Sequence, residues 1–405
     1  MQRQLRQRHR KLGRALAIAT ILSAVLGVQA GVADAAGAPS ASPAAWQAVS
    51  TPNQPHATSD QLNGISCASA ANCMAVGDYQ VSASAGSALL IERLNGAHWS
   101  RLPAPSIGLP AVLTQVSCPT KAFCVAVGYF IAGGEDQPLA ASWNGHAWSR
   151  LNFPTPAGAV EGKLTGIDCF SGTDCVVVGW TYGGVGDANL IARFNGHAWT
   201  MAAIKNGAGI IDPSLVAVSC STRTWCVAVG SGGHGKFAIG EGIALTSDNQ
   251  TTWTYTHGVT FPAANSGLYG VSCTGKNACV AFGWGSPVLN KDYQWVVETG
   301  TGNAWHEYQS PQPATLPEPI PLDLACSTGR ECTIVGYQIY GFSPTSKYTS
   351  LIMTWNGRKL ATLMAPEVHG FPYSALEGVT CNGAACWAVG AVGTAKIVRT
   401  LADRS

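Results

Sequence analysis

From Trp46 to the C-terminus, the chain alternates short apolar runs with clusters of Gly, Asn, Pro and Ser. Runs such as MAVG, VAVG and VVVG are continuous, which suits strands buried on both faces; HWSRLP and AWSRLN alternate apolar with polar positions. No helical spacing of apolar residues is sustained here, so an all-β chain is expected. The Asn-Gly steps at Asn95-Gly96, Asn144-Gly145, Asn195-Gly196 and Asn356-Gly357 signal tight hairpins, because both residues tolerate positive φ.

The runs recur as a unit. It opens with LNGISCASAANCMAVG, LTQVSCPTKAFCVAVG, LTGIDCFSGTDCVVVG, LVAVSCSTRTWCVAVG, LYGVSCTGKNACVAFG, LDLACSTGRECTIVG and LEGVTCNGAACWAVG. Successive first cysteines lie 51, 51, 51, 53, 53 and 55 residues apart, a period that marks a stacked or radial array. Each unit continues through a variable loop to an apolar third strand and, in most, to a Trp-led fourth strand. Four strands in each of seven units predict a seven-bladed β-propeller with antiparallel blades. The last unit stops at Ser405 without a Trp-led strand, while a spare one, AAWQAVSTP (Ala44 to Pro52), precedes the first unit. The ring is therefore expected to close by lending the N-terminal strand to the last blade, which removes an exposed edge.

Composition narrows the class. The chain of 405 residues is 46% hydrophobic and only 11% charged, which excludes a disordered chain. Lys and Arg (24) nearly balance Asp and Glu (22), so no broad basic surface for nucleic acid is expected. Residues 1–35 have the form of a secretory signal peptide: basic residues from Arg3 to Arg14, an apolar stretch from Ala15 to Val28, then small-residue cleavage options. Residues 36–43 read as a linker and 44–405 as one propeller domain. Cleavage after Ala35 leaves 18 basic and 21 acidic residues, a net charge of −3. The mature protein is expected to be secreted and monomeric, with no membrane span.

The cysteines fall in neighbouring pairs: Cys67 and Cys73, Cys118 and Cys124, Cys169 and Cys175, Cys220 and Cys226, Cys273 and Cys279, Cys326 and Cys332, Cys381 and Cys386. Even count, strict pairing and an exported chain predict seven nearest-neighbour disulfides rather than zinc ligands. Each would staple one hairpin turn for about 2 kcal/mol by loop entropy. No metal or cofactor is expected.

These units resemble those of exported bacterial β-propellers with repeated V-S-C-x5-C-x-A-V-G and W-N-G-x-x-W motifs, over about residues 44 to 400. More distantly they are similar to the Asp-box propellers of the sialidase class. Thr246-Ser247-Asp248-Asn249-Gln250-Thr251-Thr252-Trp253 fits S/T-x-D-x-G-x-T-W except that Gln250 replaces the glycine. That box is structural in the sialidase class, so the resemblance implies a fold and no chemistry.

In such blades the first-second and third-fourth turns share one face; here they are the stapled and Asn-Gly turns. The second-third and inter-blade connections open on the other face, are longer and vary, and are expected to carry function. Directly after the repeated glycine stand Tyr129, Trp180, Trp284 and Tyr337, with Tyr79 one place later. They predict either an aromatic platform for sugar or peptide, or packing between neighbouring blades. The repeated glycines (Gly77, Gly128, Gly179, Gly230, Gly283, Gly336, Gly390) suggest a bulge or a close approach. His98, His146 and His197 fall on the short turns. Asp78, Glu135, Asp136, Asp187, Glu241 and Asp292 are scattered over five blades, so no carboxylate pair is assigned. The leading expectation is a recognition propeller for carbohydrate or extracellular protein without catalysis. A carbohydrate-active enzyme, a polysaccharide lyase using His234, Lys236 or a loop tyrosine, or a glycoside hydrolase, stays open at the same face.

Overall fold

The computed structural model describes residues 46–405 apart from 83, 109, 184–185, 206–209, 235–238, 257–264, 277, 287–293, 302–303, 310–318, 341–346 and 395–396. The proposed signal peptide and linker lie outside the described residues. All regular elements among these are strands, and they pair as seven four-stranded antiparallel blades. The first blade, for example, runs Ser59–Ser69, Asn72–Gln80, Ala88–Asn95, His98–Arg101. The fourth carries one further edge strand, Ala203–Lys205, which pairs parallel with its outer strand. The sixth and seventh are joined into one eight-stranded sheet by a single parallel bridge, Tyr348 to Tyr373.

Closure is direct. Gln47–Val49 pairs antiparallel with the third strand of the last blade, Val398–Arg404, and so becomes its fourth strand. Seven apolar clusters fill the molecule, and each is shared by two adjacent blades, including the last with the first. Along the second strand of the first blade, Met74 and Val76 face the second blade while Cys73 and Ala75 face the seventh. That two-sided burial is why these strands are apolar throughout.

The repeated glycines have one cause. Opposite each, the innermost strand bulges immediately after the paired residue, as between Leu62 and Gly64 or between Leu164 and Gly166. A Cβ at Gly77, Gly128, Gly179, Gly230, Gly283, Gly336 or Gly390 would collide with a carbonyl oxygen of that strand, such as Lys163 O for Gly179. The close approach is within a blade, not between blades.

All seven disulfides form between nearest neighbours, as the spacing predicts. Cys67 is bonded to Cys73, Cys118 to Cys124, Cys169 to Cys175 and Cys220 to Cys226. Cys273 is bonded to Cys279, Cys326 to Cys332 and Cys381 to Cys386. Their Cα–Cα separations are 3.9 to 4.1 Å, because each bond joins the two strands of one hairpin beside its turn. Such linkage belongs to an oxidising environment. The serine before the first cysteine has a role that the motif did not disclose. Ser66 Oγ accepts the N–H of Cys118 (3.0 Å), Ser117 that of Cys169 (3.0 Å), Ser219 that of Cys273 (3.0 Å) and Ser272 that of Cys326 (3.1 Å). Asp168 replaces the serine in the third blade and accepts from Cys220 N at 2.7 Å. Ala325 cannot do so in the sixth. There Asp323 Oδ2 accepts from Val379 N at 2.9 Å, stitching the sixth blade to the seventh from two residues earlier.

Candidate functional site

The stapled face is tightly built. Asn144 Oδ1 accepts the N–H groups of His146 (3.0 Å) and Ala147 (2.9 Å), and Asn195 and Asn356 hold their turns in the same way. His98, His146 and His197 are exposed on these turns. In the fourth blade, Ser247 Oγ accepts from Gln250 N (2.9 Å) and donates to Thr252 O (2.7 Å). Gln250 takes a φ of 61°, and Trp253 behind it is fully buried. Arg193 Nε donates to Gln250 Oε1 (2.7 Å) and Asp174 Oδ1 (2.9 Å), and Arg223 pairs with Asp174 at 3.3 Å. Arg193 thus joins the third blade to the fourth.

On the opposite face, the first blade keeps an irregular connection between Gln80 and Ala88, whereas the second and third blades extend their strands toward the turn. In the second blade, the strands run on to Ala132 and restart at Glu135, leaving only Gly133-Gly134 as the turn, with φ of 61° and 89°. In the third, pairing continues to Gly183 and Gly186. The second-blade connection is thus a hairpin arm, because two adjacent glycines supply the positive φ that a tight turn needs.

Tyr129, Trp180, Trp284 and Tyr337, all half-buried, stand toward this end of the second strands of four different blades. Each follows the crowded glycine and pairs with the innermost strand: Tyr129 with Val112, Trp180 with Lys163, Trp284 with Gly267, Tyr337 with Ile320. Lys163 reaches across from the third blade, its Nζ 3.6 Å from the Tyr129 ring centroid and 3.2 Å from Asp136 Oδ2. Aromatic ring, cation and carboxylate thus meet above the second-third junction. At the sixth-seventh junction, Tyr348 lies 5.8 Å from Tyr337 and 5.6 Å from Tyr373, centroid to centroid. Tyr348 and Tyr373 lacked a sequence signal, since neither follows the repeated glycine. Tyr79 packs against the apolar cluster shared by the first and seventh blades and also lines a cleft of 260 Å³ with Leu102, Pro105, Ile107 and Arg101.

Of the eight large hydrophobic side chains exposed among the described residues, five belong to this face: Val81, Val160, Ile211, Tyr340 and Ile397. On the stapled turns only Phe170 is of this kind among the described residues.

Acids missed in the sequence lie inside. Glu92 and Asp403 occupy equivalent third-strand positions, are fully buried, and both oxygens of each carboxyl lack hydrogen-bond partners. Burial pushes Glu92 up to about 9, with the Asp60 carboxyl adding to the shift, and Asp403 up to about 7. On the innermost strands, burial pushes Glu377 up to about 7, and Asp168 and Asp323 up to about 6. The signal was available: Glu92 stands where the second and third blades have Ala141 and Ala192. Asp78, beside the mouth, is also raised, by burial against hydrogen bonds from Ser87 and Asn63. Among the described residues, no three His, Cys, Asp or Glu side chains gather as metal ligands. Lys236 and Asp292 lie outside the described residues, as does the side chain of His234.

No protein-family model matches the chain, and no curated protein does. Among solved structures it is similar to Trypanosoma rangeli sialidase in complex with sialic acid, at 10% identity over 89% of this chain and 58% of that one, with a TM-score of 0.47. It is also similar to Hadza microbial sialidase Hz136 (12% identity, 76% and 66% covered, TM-score 0.45). A third is the subtype N11 neuraminidase-like protein of A/flat-faced bat/Peru/033/2010 (H18N11), at 11% identity with 89% and 93% covered and a TM-score of 0.42. The chain spans 58% of that trypanosomal sialidase. Assignment of the present chain to the β-propellers rests on its own strand pairing.

Proposed function

We propose that this is a secreted recognition propeller, exported by residues 1–35, whose single domain of residues 44–405 binds carbohydrate or extracellular protein at the hairpin-arm face. Tyr129, Trp180, Trp284 and Tyr337 are its contact residues. The observation that carries this reading is the apolar asymmetry of the disc: five of the eight large hydrophobics exposed among the described residues belong to one face. These side chains stand singly on different blades, so what favours this face is their number on one side of the disc and not a single apolar patch. Half-buried aromatic rings there add stacking area at little rotamer cost. The turn around Gln250 is similar to an Asp box and serves as a structural turn on the other face.

No cofactor or metal enters this reading, and no catalytic residue is assigned. A glycan and polysaccharide array probed with the mature protein, with product analysis of every hit, tests it. Binding without product supports recognition; a shortened or unsaturated product replaces it with the enzyme reading.

A further inference from the structure

The stapled face of the sixth blade carries a feature that the fold does not need. Arg330 lies on the disulfide turn, and Arg358 and Lys359 lie on the Asn-Gly turn beside it; all three are exposed. The two turns abut: a side chain at Gly357 would come within 3.0–3.2 Å of the Arg330 Cβ, Cγ and Cδ atoms. Both are fixed by side-chain caps. Thr328 Oγ1 accepts from Glu331 N (3.0 Å), and Asn356 Oδ1 from Arg358 N (3.1 Å) and Lys359 N (2.8 Å). The second and third blades build the same Asn-capped turn with His146-Ala147 and His197-Ala198. Geometry therefore does not demand the cations.

The fifth and fourth blades pair theirs. Lys276 pairs with Asp248 at 2.8 Å, and Arg223 with Asp174 at 3.3 Å. Among the described residues, Arg330, Arg358 and Lys359 make no ion pair, and Glu331 is the one acid on their two turns. Three like charges held together on rigid turns repel one another unless an anion joins them. Arginine forks match the planar or tetrahedral oxygens of carboxylate, sulfate and phosphate.

We propose that these turns form an oxyanion-binding patch for an acidic polysaccharide, on the face opposite the recognition site. A polymer is favoured over a lipid surface because the patch has no apolar side chain to insert; Phe170, the exposed hydrophobic of this face, belongs to the third blade. Engaged there, the protein would present its hairpin-arm face outward.

Heparin, polygalacturonate and inorganic polyphosphate serve as sulfate, carboxylate and phosphate probes, and phosphatidylglycerol vesicles as the lipid arm. At low salt, about 50 mM, the mature protein should bind heparin or polygalacturonate and release it as salt rises. The R330A/R358A/K359A variant should bind about tenfold or more weakly with an unchanged circular dichroism spectrum. K205A/K347A, which removes two exposed lysines elsewhere, should bind like the parent. No retention of the parent on any polymer, equal retention of the triple variant, or an equal loss in the lysine pair overturns the proposal. Patch-dependent binding to polyphosphate or to vesicles alone overturns the polysaccharide assignment.

Discussion

The hydroxyls of Thr51 and Thr400 lie 2.7 Å apart, although 349 residues separate them. Around them Asn53 Oδ1 accepts from Thr400 N (3.0 Å), Val398 N donates to Thr58 O (3.0 Å), and Arg399 Nη1 donates to Ala57 O (2.9 Å). The chain ends are the clasp of the ring. A mature chain starting at Asn53 loses the Gln47–Val49 strand, the Thr51 hydroxyl and buried Trp46. It should melt earlier and aggregate through the bared edge. Light scattering with thermal unfolding checks this; an unchanged melting temperature in a monomeric product contradicts closure by the N-terminus.

The Ser117 hydroxyl is buried between the second and third blades, where it receives Cys169 N–H. Ser117→Ala leaves that amide unpaired and should cost about 1–2 kcal/mol in denaturant unfolding. Ser100→Ala, on an exposed outer strand, should change stability by less than about 0.5 kcal/mol. Equal effects would remove the stitch from the account.

Gly179 and Gly108 separate crowding from mere absence of a side chain. A Cβ at Gly179 meets Lys163 O, whereas one at Gly108 meets nothing within 4 Å. Gly179→Ala should destabilise by about 1–3 kcal/mol and Gly108→Ala hardly at all, measured by thermal and urea unfolding. A tolerated Gly179→Ala would mean that the bulge relaxes freely.

The architecture was readable because its determinants repeat: cysteines staple each first turn, the crowded glycine ends each buried run, and Trp46 stands where a fourth strand was missing. What the sequence hid depends on contacts between blades. Nothing in V-S-C says that Ser117 reaches Cys169, because that contact links residues 52 apart across a junction. Lys163 over Tyr129 is likewise a neighbour only once the ring is closed. The face that carries Tyr129, Trp180, Trp284 and Tyr337 followed from strand order, but how far the next blade covers each ring did not.

Acids buried in the core or packed half-buried against it make stability depend on pH in a defined direction. Glu92 (about 9), Asp403 and Glu377 (about 7), and Asp168 and Asp323 (about 6) hold protons in the folded protein that the unfolded chain releases near 4. Folding therefore binds protons above that pH, so this contribution weakens as pH rises from about 4.5 toward 9. The melting temperature should be higher at pH 5 than at pH 8, and Glu92→Gln should flatten the loss between pH 7 and 9. A melting temperature that rises steadily from pH 5 to pH 8 would contradict the buried, protonated acids.

The claim that the hairpin-arm face carries the recognition site is tested most directly by titrating an array hit that the R330A/R358A/K359A variant still binds against two further variants. Trp180→Ala with Trp284→Ala should weaken binding about tenfold or more, above roughly 1.4 kcal/mol, while the folded spectrum is kept. Replacing His98, His146 and His197 on the stapled face should leave affinity for that hit unchanged. Loss of binding in the histidine variant with full binding in the tryptophan pair would put the site on the other face. Unfolding of the tryptophan pair would make these rings part of the inter-blade core, and the account of the site would fall.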